Sequence, residues 1–384
     1  MASPTTAGGP NVPSASSKAQ SSRVIPFRRA STFRKSVAKQ VGPVTLTASV
    51  QQVEDQITGV GYFAGLDLMV QATGASSTAA IGWKEDAPWC AIQSLIIHDT
   101  NGDLVNLASG YEGYLFALYG RHQQFPAATS TDTANVYQLS GTAAANGIGN
   151  FLFHLPVDIA VNNRDLWGLV GNQDRADSYF VRDEIADSGS LYGTAPTTLP
   201  SVQITRIYKN YSVPGATNAN GDQQEQVPPK FGILHFQTRS INPTAPAAGL
   251  VDHPLQRLGY TIRDLICILR VNSLRSSGET NAPTRISLLF GDQVIFTTTW
   301  QEQKQQMYSR YGFDAPNGVI VFDAISDFLG SEAGGELGDD YWWTHGMSQA
   351  TLEFTYPSGV GSTANSLTVL TDDLQVPDNI DLYA

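Results

Sequence analysis

Residues 94–120 read SLIIHDTNGDLVNLASGYEGYLFALYG, and residues 287–312 read SLLFGDQVIFTTTWQEQKQQMYSRYG. The two are one pattern written twice. Ser94-Leu95-Ile96-Ile97-His98-Asp99 aligns with Ser287-Leu288-Leu289-Phe290-Gly291-Asp292, and Tyr119-Gly120 is answered by Tyr311-Gly312. Each copy runs from an apolar strand through a turn into a helix. Tyr111, Tyr114, Leu115 and Leu118 fall on one helical face, and Trp300, Gln303, Met307 and Tyr311 keep nearly the same spacing. Internal repetition of this kind decides an architecture before any single element does.

Two further echoes keep the same order. Gly61-Tyr62, ahead of Leu66–Gln71, is matched by Gly259-Tyr260, ahead of Leu265–Leu269. Asn146-Gly147-Ile148, leading into Phe151-Leu152-Phe153, is matched by Asn317-Gly318-Val319, leading into Ile320-Val321-Phe322. The chain therefore reads as two copies of one β-rich domain.

Size and composition agree. A chain of 384 residues can bury two cores of ordinary size. With 35 Gly, 20 Pro and only 15% charged residues, it suits short strands joined by turns better than a helical bundle. Cys90 and Cys267, one per half and each in an apolar run, form no disulfide framework and read as small buried hydrophobes. No apolar run approaches the ~18 residues of a membrane span, and the N-terminus lacks the basic-then-apolar pattern of a secretion signal. A soluble chain is expected.

Charge is unevenly placed. Lys18, Arg23, Arg28, Arg29, Arg34, Lys35 and Lys39 give residues 1–44 a charge of +7 with no acid, which leaves −19 on the other 340 residues of a chain whose net is −12. Cationic arm and acidic body suggest two different partners or faces. Within 23–41, Phe27, Ala30, Phe33 and Val37 recur every three or four residues after Pro26. That spacing predicts a short basic amphipathic helix, able to lie on anionic lipid or dock on its own protein. A solvated basic tail and an organellar transit peptide are the other readings of this stretch.

Further along, Val44–Val50 alternates as a half-buried strand, and Asn101-Gly102 marks a tight hairpin. Residues 163–170 suggest a short helix, while 125–147 and 172–200 read as long polar loops. Residues 214–229 read as a linker with little to bury. The expected division is an arm over 1–43, a first domain over 44–214, a linker over 215–229, a second domain over 230–371 and an acidic tail over 372–384. About eight short strands per domain fit an all-β chain of two tandem eight-stranded jelly rolls, with short helices in the loops and an N-terminal amphipathic arm.

Chemistry is poorly represented. His98–Asp103 resembles the opening of a calcium loop, but Leu104 and Gly110 stand where a tight-turn glycine and a bidentate glutamate belong. The six histidines show no metal spacing, and no nucleophile elbow is present. Asp339-Asp340 near Trp342-Trp343 could imitate a glycosidase cleft, although acidic surface loops are commoner. No catalytic residue, cofactor or metal is expected, nor any specific nucleic acid, because the acidic body offers no basic groove.

A basic amphipathic arm followed by two tandem jelly rolls resembles the double jelly-roll major capsid proteins of tectivirus-like viruses, tailless and icosahedral with an internal membrane. Ile96-Ile97-His98-Asp99 leading to Ser109-Gly110-Tyr111 resembles the strand, turn and helix start of the tectiviral first barrel, and Leu155-Pro156 before Asp165-Leu166 resembles its strand-then-helix loop. The resemblance implies a virion protein made in the host cytoplasm, which self-assembles as homotrimers of pseudo-hexagonal outline and tiles an icosahedral shell beside minor capsid proteins. Long loops would face outward. The arm would face inward, with Phe27, Arg28, Arg29, Phe33, Arg34, Lys35 and Lys39 toward the internal membrane. The alternatives are a glycan-binding or receptor-recognition jelly roll and, less favoured, a glycoside hydrolase.

Overall fold

The computed structural model describes residues 24–57, 61–120, 136–161, 166–173, 179–241, 245–324, 341–361, 364–378 and 380. Sixteen strands build two barrels of eight. The first holds β1 (Phe33–Thr45), β2 (Gln51–Gln56), β3 (Gly61–Thr73), β4 (Ile92–His98), β5 (Asp103–Leu107), β6 (Phe151–Asp158), β7 (Phe180–Ile185) and β8 (Ser201–Tyr211). The second holds β9 (Leu234–Ile241), β10 (Gly249–Pro254), β11 (Thr261–Arg270), β12 (Arg285–Phe290), β13 (Gln293–Thr298), β14 (Val319–Asp323), β15 (Ala350–Tyr356) and β16 (Ser366–Gln375). Helices α1 (Phe27–Ala30), α2 (Gly110–Leu115), α3 (Arg275–Thr280) and α4 (Trp300–Tyr311) sit outside the strands, and α2 continues in a wider turn through Phe116–Gly120.

Strand order is that of a jelly roll, twice. In the first barrel β1-β8-β3-β6 faces β2-β7-β4-β5; in the second β9-β16-β11-β14 faces β10-β15-β12-β13. The barrels share one backbone ladder, because β5 pairs in parallel with β9, Val105 opposite Gln237 and Asn106 opposite Thr238. The inner sheets of both barrels thus merge into a single nine-stranded sheet, which also takes the short strand Trp342–Trp343. One apolar core runs through both barrels. Exposure to water sets the patterns: β8 alternates half-buried and buried residues along its length, whereas β11, covered on both faces, is buried from Thr261 to Leu269.

Several expectations need correction. Residues 23–41 are not one helix. Only Phe27–Ala30 is helical, and from Phe33 the chain is a strand whose backbone pairs with β8 from Phe33↔Tyr211 to Thr45↔Ser201. A ladder satisfies those amides where an isolated helix would leave its apolar stripe uncovered. The first barrel therefore begins at Phe33 rather than residue 44. The alternating run Val44–Val50 is mostly the corner between β1 and β2, closed by Thr47 Oγ1, which accepts from Ser49 N at 3.1 Å. Within the supposed loop 172–200 lies β7, paired with both β2 and β4. The supposed tail beginning at 372 contains the end of β16, where Asp372 and Asp373 are buried. The linker holds some structure of its own: Thr217 bridges Gln223, and Gln224 pairs with Ile25. Residues 163–165 of the expected short helix lie outside the described residues, and Trp167 that follows bridges Val161.

Candidate assembly surfaces

Antiparallel registers sort the connections between two ends. Phe33, Tyr211 and Tyr62 lie together at one end of the first barrel, and Thr45, Ser201 and Thr73 at the other. The parallel β5–β9 pair stands the second barrel the same way up. Segment 24–32 and the Asn101-Gly102 hairpin therefore share one end. The long excursions 74–91, 108–120 with 136–150, 271–284 and 299–318 share the opposite end.

At the entry end, Phe27 is buried, its ring edge-on to Tyr62 at 5.3 Å and 6.2 Å from Tyr211. The Phe27 amide donates to Glu225 Oε2 at 3.0 Å, and Ile25 exchanges backbone hydrogen bonds with Gln223 and Glu225. Phe27 is thus an anchor that turns inward. Arg28, Arg29, Phe33 and Arg34 are exposed, Phe33 lying against Tyr211 at 5.1 Å. Lys35 reaches Asp67 at 3.2 Å. Burial pushes the Asp67 carboxyl up, but His154 and Lys209 beside it win and hold it well below the usual carboxylate range. Lys39 takes its place in β1 opposite Arg206.

The joint between barrels is charged on both sides. Near the loop end, Arg275 Nε donates to Asp86 Oδ1 at 2.5 Å, its guanidinium lies 4.4 Å from the Tyr111 ring, and the Arg275 and Ser276 amides donate to Glu85. Arg270 donates to Asp86 Oδ2 at 2.7 Å, and Arg239 pairs with Glu112 at 2.8 Å. Toward the entry end, the buried Asp372 accepts from Arg263 at 2.6 Å and is 2.7 Å from His235 Nε2. His235 Nδ1 is 2.9 Å from the Ile159 carbonyl of the first barrel. A carbonyl only accepts, so Nδ1 is the donor to Ile159, and Nε2 faces the Asp372 carboxylate. Burial pushes Asp372 up, yet Arg263 and His235 hold it at about 2. Glycines permit the close approach. A Cβ on Gly168 (φ +80°) would stand 2.6 Å from His235 Cβ, and one on Gly120 would stand 2.8 Å from Asp372 Oδ2.

Of the residues singled out for chemistry, those described are otherwise engaged. Asp339 and Asp340 lie outside the described residues. Trp342 packs on Phe296 at 6.1 Å, and the half-exposed Trp343 stacks on His345 at 4.4 Å. Two open grooves of about 350 and 390 Å³ flank the buried Trp300. Their carboxylate Glu279 accepts from Trp300 Nε1 and the Gly318 amide and pairs with Lys304. Asp99 caps its own turn, accepting from the Asn101 and Gly102 amides. Among the described residues no three potential ligands gather as for a metal ion. Nor is any described helix long and apolar enough to cross a membrane. Cys90 and Cys267 are free thiols pushed far up by burial. Sequence reasoning missed the joint cluster, since Asp372, Arg263 and His235 lie far apart in the chain and only the barrel register brings them together.

No family model and no curated protein matches the chain. Solved structures do. A chain in the atomic structure of Sulfolobus Turreted Icosahedral Virus is similar over 90% of this chain and 91% of its own, with TM-score 0.62 and 13% identity. The PBCV-1 virus capsid chain is similar over 90% and 93%, with TM-score 0.54 and 10% identity. The major capsid protein P2 from bacteriophage PM2 is similar over 91% and 98%, with TM-score 0.50 and 8% identity. At such identities the likeness is one of architecture, and it spans nearly the full length of both chains. The protein therefore has the double jelly-roll fold found in these major capsid proteins.

Proposed function

We propose that this chain is the major capsid subunit of an icosahedral virus with an internal membrane, acting by self-assembly. One observation carries the reading: two like barrels stand the same way up beside each other, joined through β5 and β9. Three such chains supply six nearly equivalent corners, a trimer able to tile a shell next to minor capsid proteins. The separation of ends supports an orientation, with long excursions outward and segment 24–32 inward. There Arg28, Arg29 and Arg34, with Lys35 and Lys39 behind them, meet anionic headgroups, each cation contributing on the order of 1 kcal/mol near the surface. Assembly takes place in the host cytoplasm and the product resides in the virion.

Light scattering on the purified protein tests the reading. The expected mass is about 124 kDa, three 41.3 kDa chains; a monomer that never assembles would refute it. For the inward face, the double variant R28E/R29E should keep its trimer but lose flotation with vesicles containing phosphatidylserine. Unchanged flotation would remove lipid from the proposed partners.

A further inference from the structure

The β5–β9 joint uses one edge from each barrel. By the repeat, the strand in the second barrel that corresponds to β5 is β13, and the strand in the first barrel that corresponds to β9 is β1. Among the described residues both are open edges: β13 pairs only with β12, and β1 only with β8. Each is left bare in a way that edge strands of soluble monomers avoid. Val294 is 53% exposed, its neighbour Ile295 37% and Phe33 46%. A register shift between Leu288 and Leu289 lets both Val294 and Ile295 face outward.

We propose that β13 of one copy pairs in parallel with β1 of a second copy, repeating between chains the joint that β5 and β9 make within one. The inference rests on the capsid reading for the number of chains and supplies the interface that reading lacks.

The repeat fixes the register. Ser36 meets Tyr208, which meets Leu66; Thr238 meets Thr371, which meets Leu265. Leu66 and Leu265 each lie two residues past the bulged residue of their strand, Ala64 and Arg263, so Ser36 holds the place of Thr238. On the other side, Ile97 faces Val105 and Ile96 faces Asn106, while Phe290 faces Gln293 and Leu289 faces Val294. Ile97 and Phe290 correspond through the Ser-Leu repeat, so Gln293 holds the place of Val105. Thr238 faces Asn106, whose place Val294 holds, so between chains Ser36 lies opposite Val294 and Lys35 opposite Gln293. One step further back, Arg34 of the basic edge lies opposite the exposed Asp292, with Lys35 beside it. Backbone amides on both edges gain partners, the unlike charges set the direction, and the apolar pair on β13 is covered.

The test is a disulfide. Facing strand residues have Cα atoms about 5 Å apart, inside the range a disulfide spans. The full-length variant S36C/V294C, oxidised under mild conditions, should give a ladder ending at three chains on a non-reducing gel. S36C or V294C alone should give no covalent three-chain product. Ile295→Asp, at an exposed position, should lower the solution mass to one chain while leaving the circular-dichroism melt within a few degrees of the parent. A parent trimer by light scattering, with neither crosslink nor sensitivity to Ile295→Asp, would overturn this interface and leave the capsid reading standing. A parent monomer would overturn both.

Discussion

Arg206 on β8 is fully buried, and its guanidinium is divided between Asp183 of β7 at 2.8 Å, Asp55 of β2 at 2.7 Å and the Val53 carbonyl. It crosses the barrel interior to hold two facing sheets. Burial pushes the Asp183 carboxyl up against the pull of Arg206. Replacing Arg206 with Met leaves that acid without its cation and should cost about 3–5 kcal/mol in chemical denaturation. The deficit should be smaller at pH 5 than at pH 8, because the stranded acid takes up a proton. His253 on β10 makes a second prediction. Buried and 3.0 Å from the Tyr356 hydroxyl, it is pushed by burial down to about 4. Its neutral form is the folded one, so its contribution is whole above pH ~6.5 and is lost as pH falls toward 4. The loss is on the order of 3 kcal/mol. His253→Gln should flatten the midpoint-versus-pH curve across that window, which urea titrations at several pH values would check.

Among the elements, α4 shows what sequence discloses well. Thr299 and Glu302 form a reciprocal cap, Gly312 ends the helix at φ +76°, and of the four expected positions Trp300, Gln303 and Met307 are buried and Tyr311 half-buried. Short-range rules decide such an element, and so they find it. By contrast, α1 and β1 form a short local turn and then a strand whose partner is over a hundred residues away, so the three-to-four spacing of Phe27, Phe33 and Val37 misled. β7 hid for a related reason: its inward Asp183 is tolerated only because Arg206 waits on β8. The arm's cations were legible as charge, but the inward turn of Phe27 needed Tyr62 and Tyr211 in place. Phe27→Ala should undock segment 24–32 and speed tryptic cleavage after Arg28 and Arg29 at least tenfold, with little change in the global melting temperature. An unchanged cleavage rate would show that the segment is held by its backbone bonds alone.

For the molecule as a whole, the shared sheet and the continuous core predict that both barrels melt together, despite the repeat in the sequence. Calorimetry should record one endotherm whose van't Hoff and calorimetric enthalpies agree; two resolved transitions would mean the joint is weaker than either barrel. The chain's two-domain plan was legible because periodicity and repetition are sequence properties. That the domains are fused was not, since it depends on one parallel pair, β5 with β9. In the polymer chemist's terms, that pair makes the protein a bifunctional monomer. Duplication of a barrel creates two edges of each type, the internal joint consumes one of each, and one donor and one acceptor remain, on β13 and β1. Such a unit closes into rings or grows into chains, and a copy with one of its two remaining edges blocked is a chain stopper.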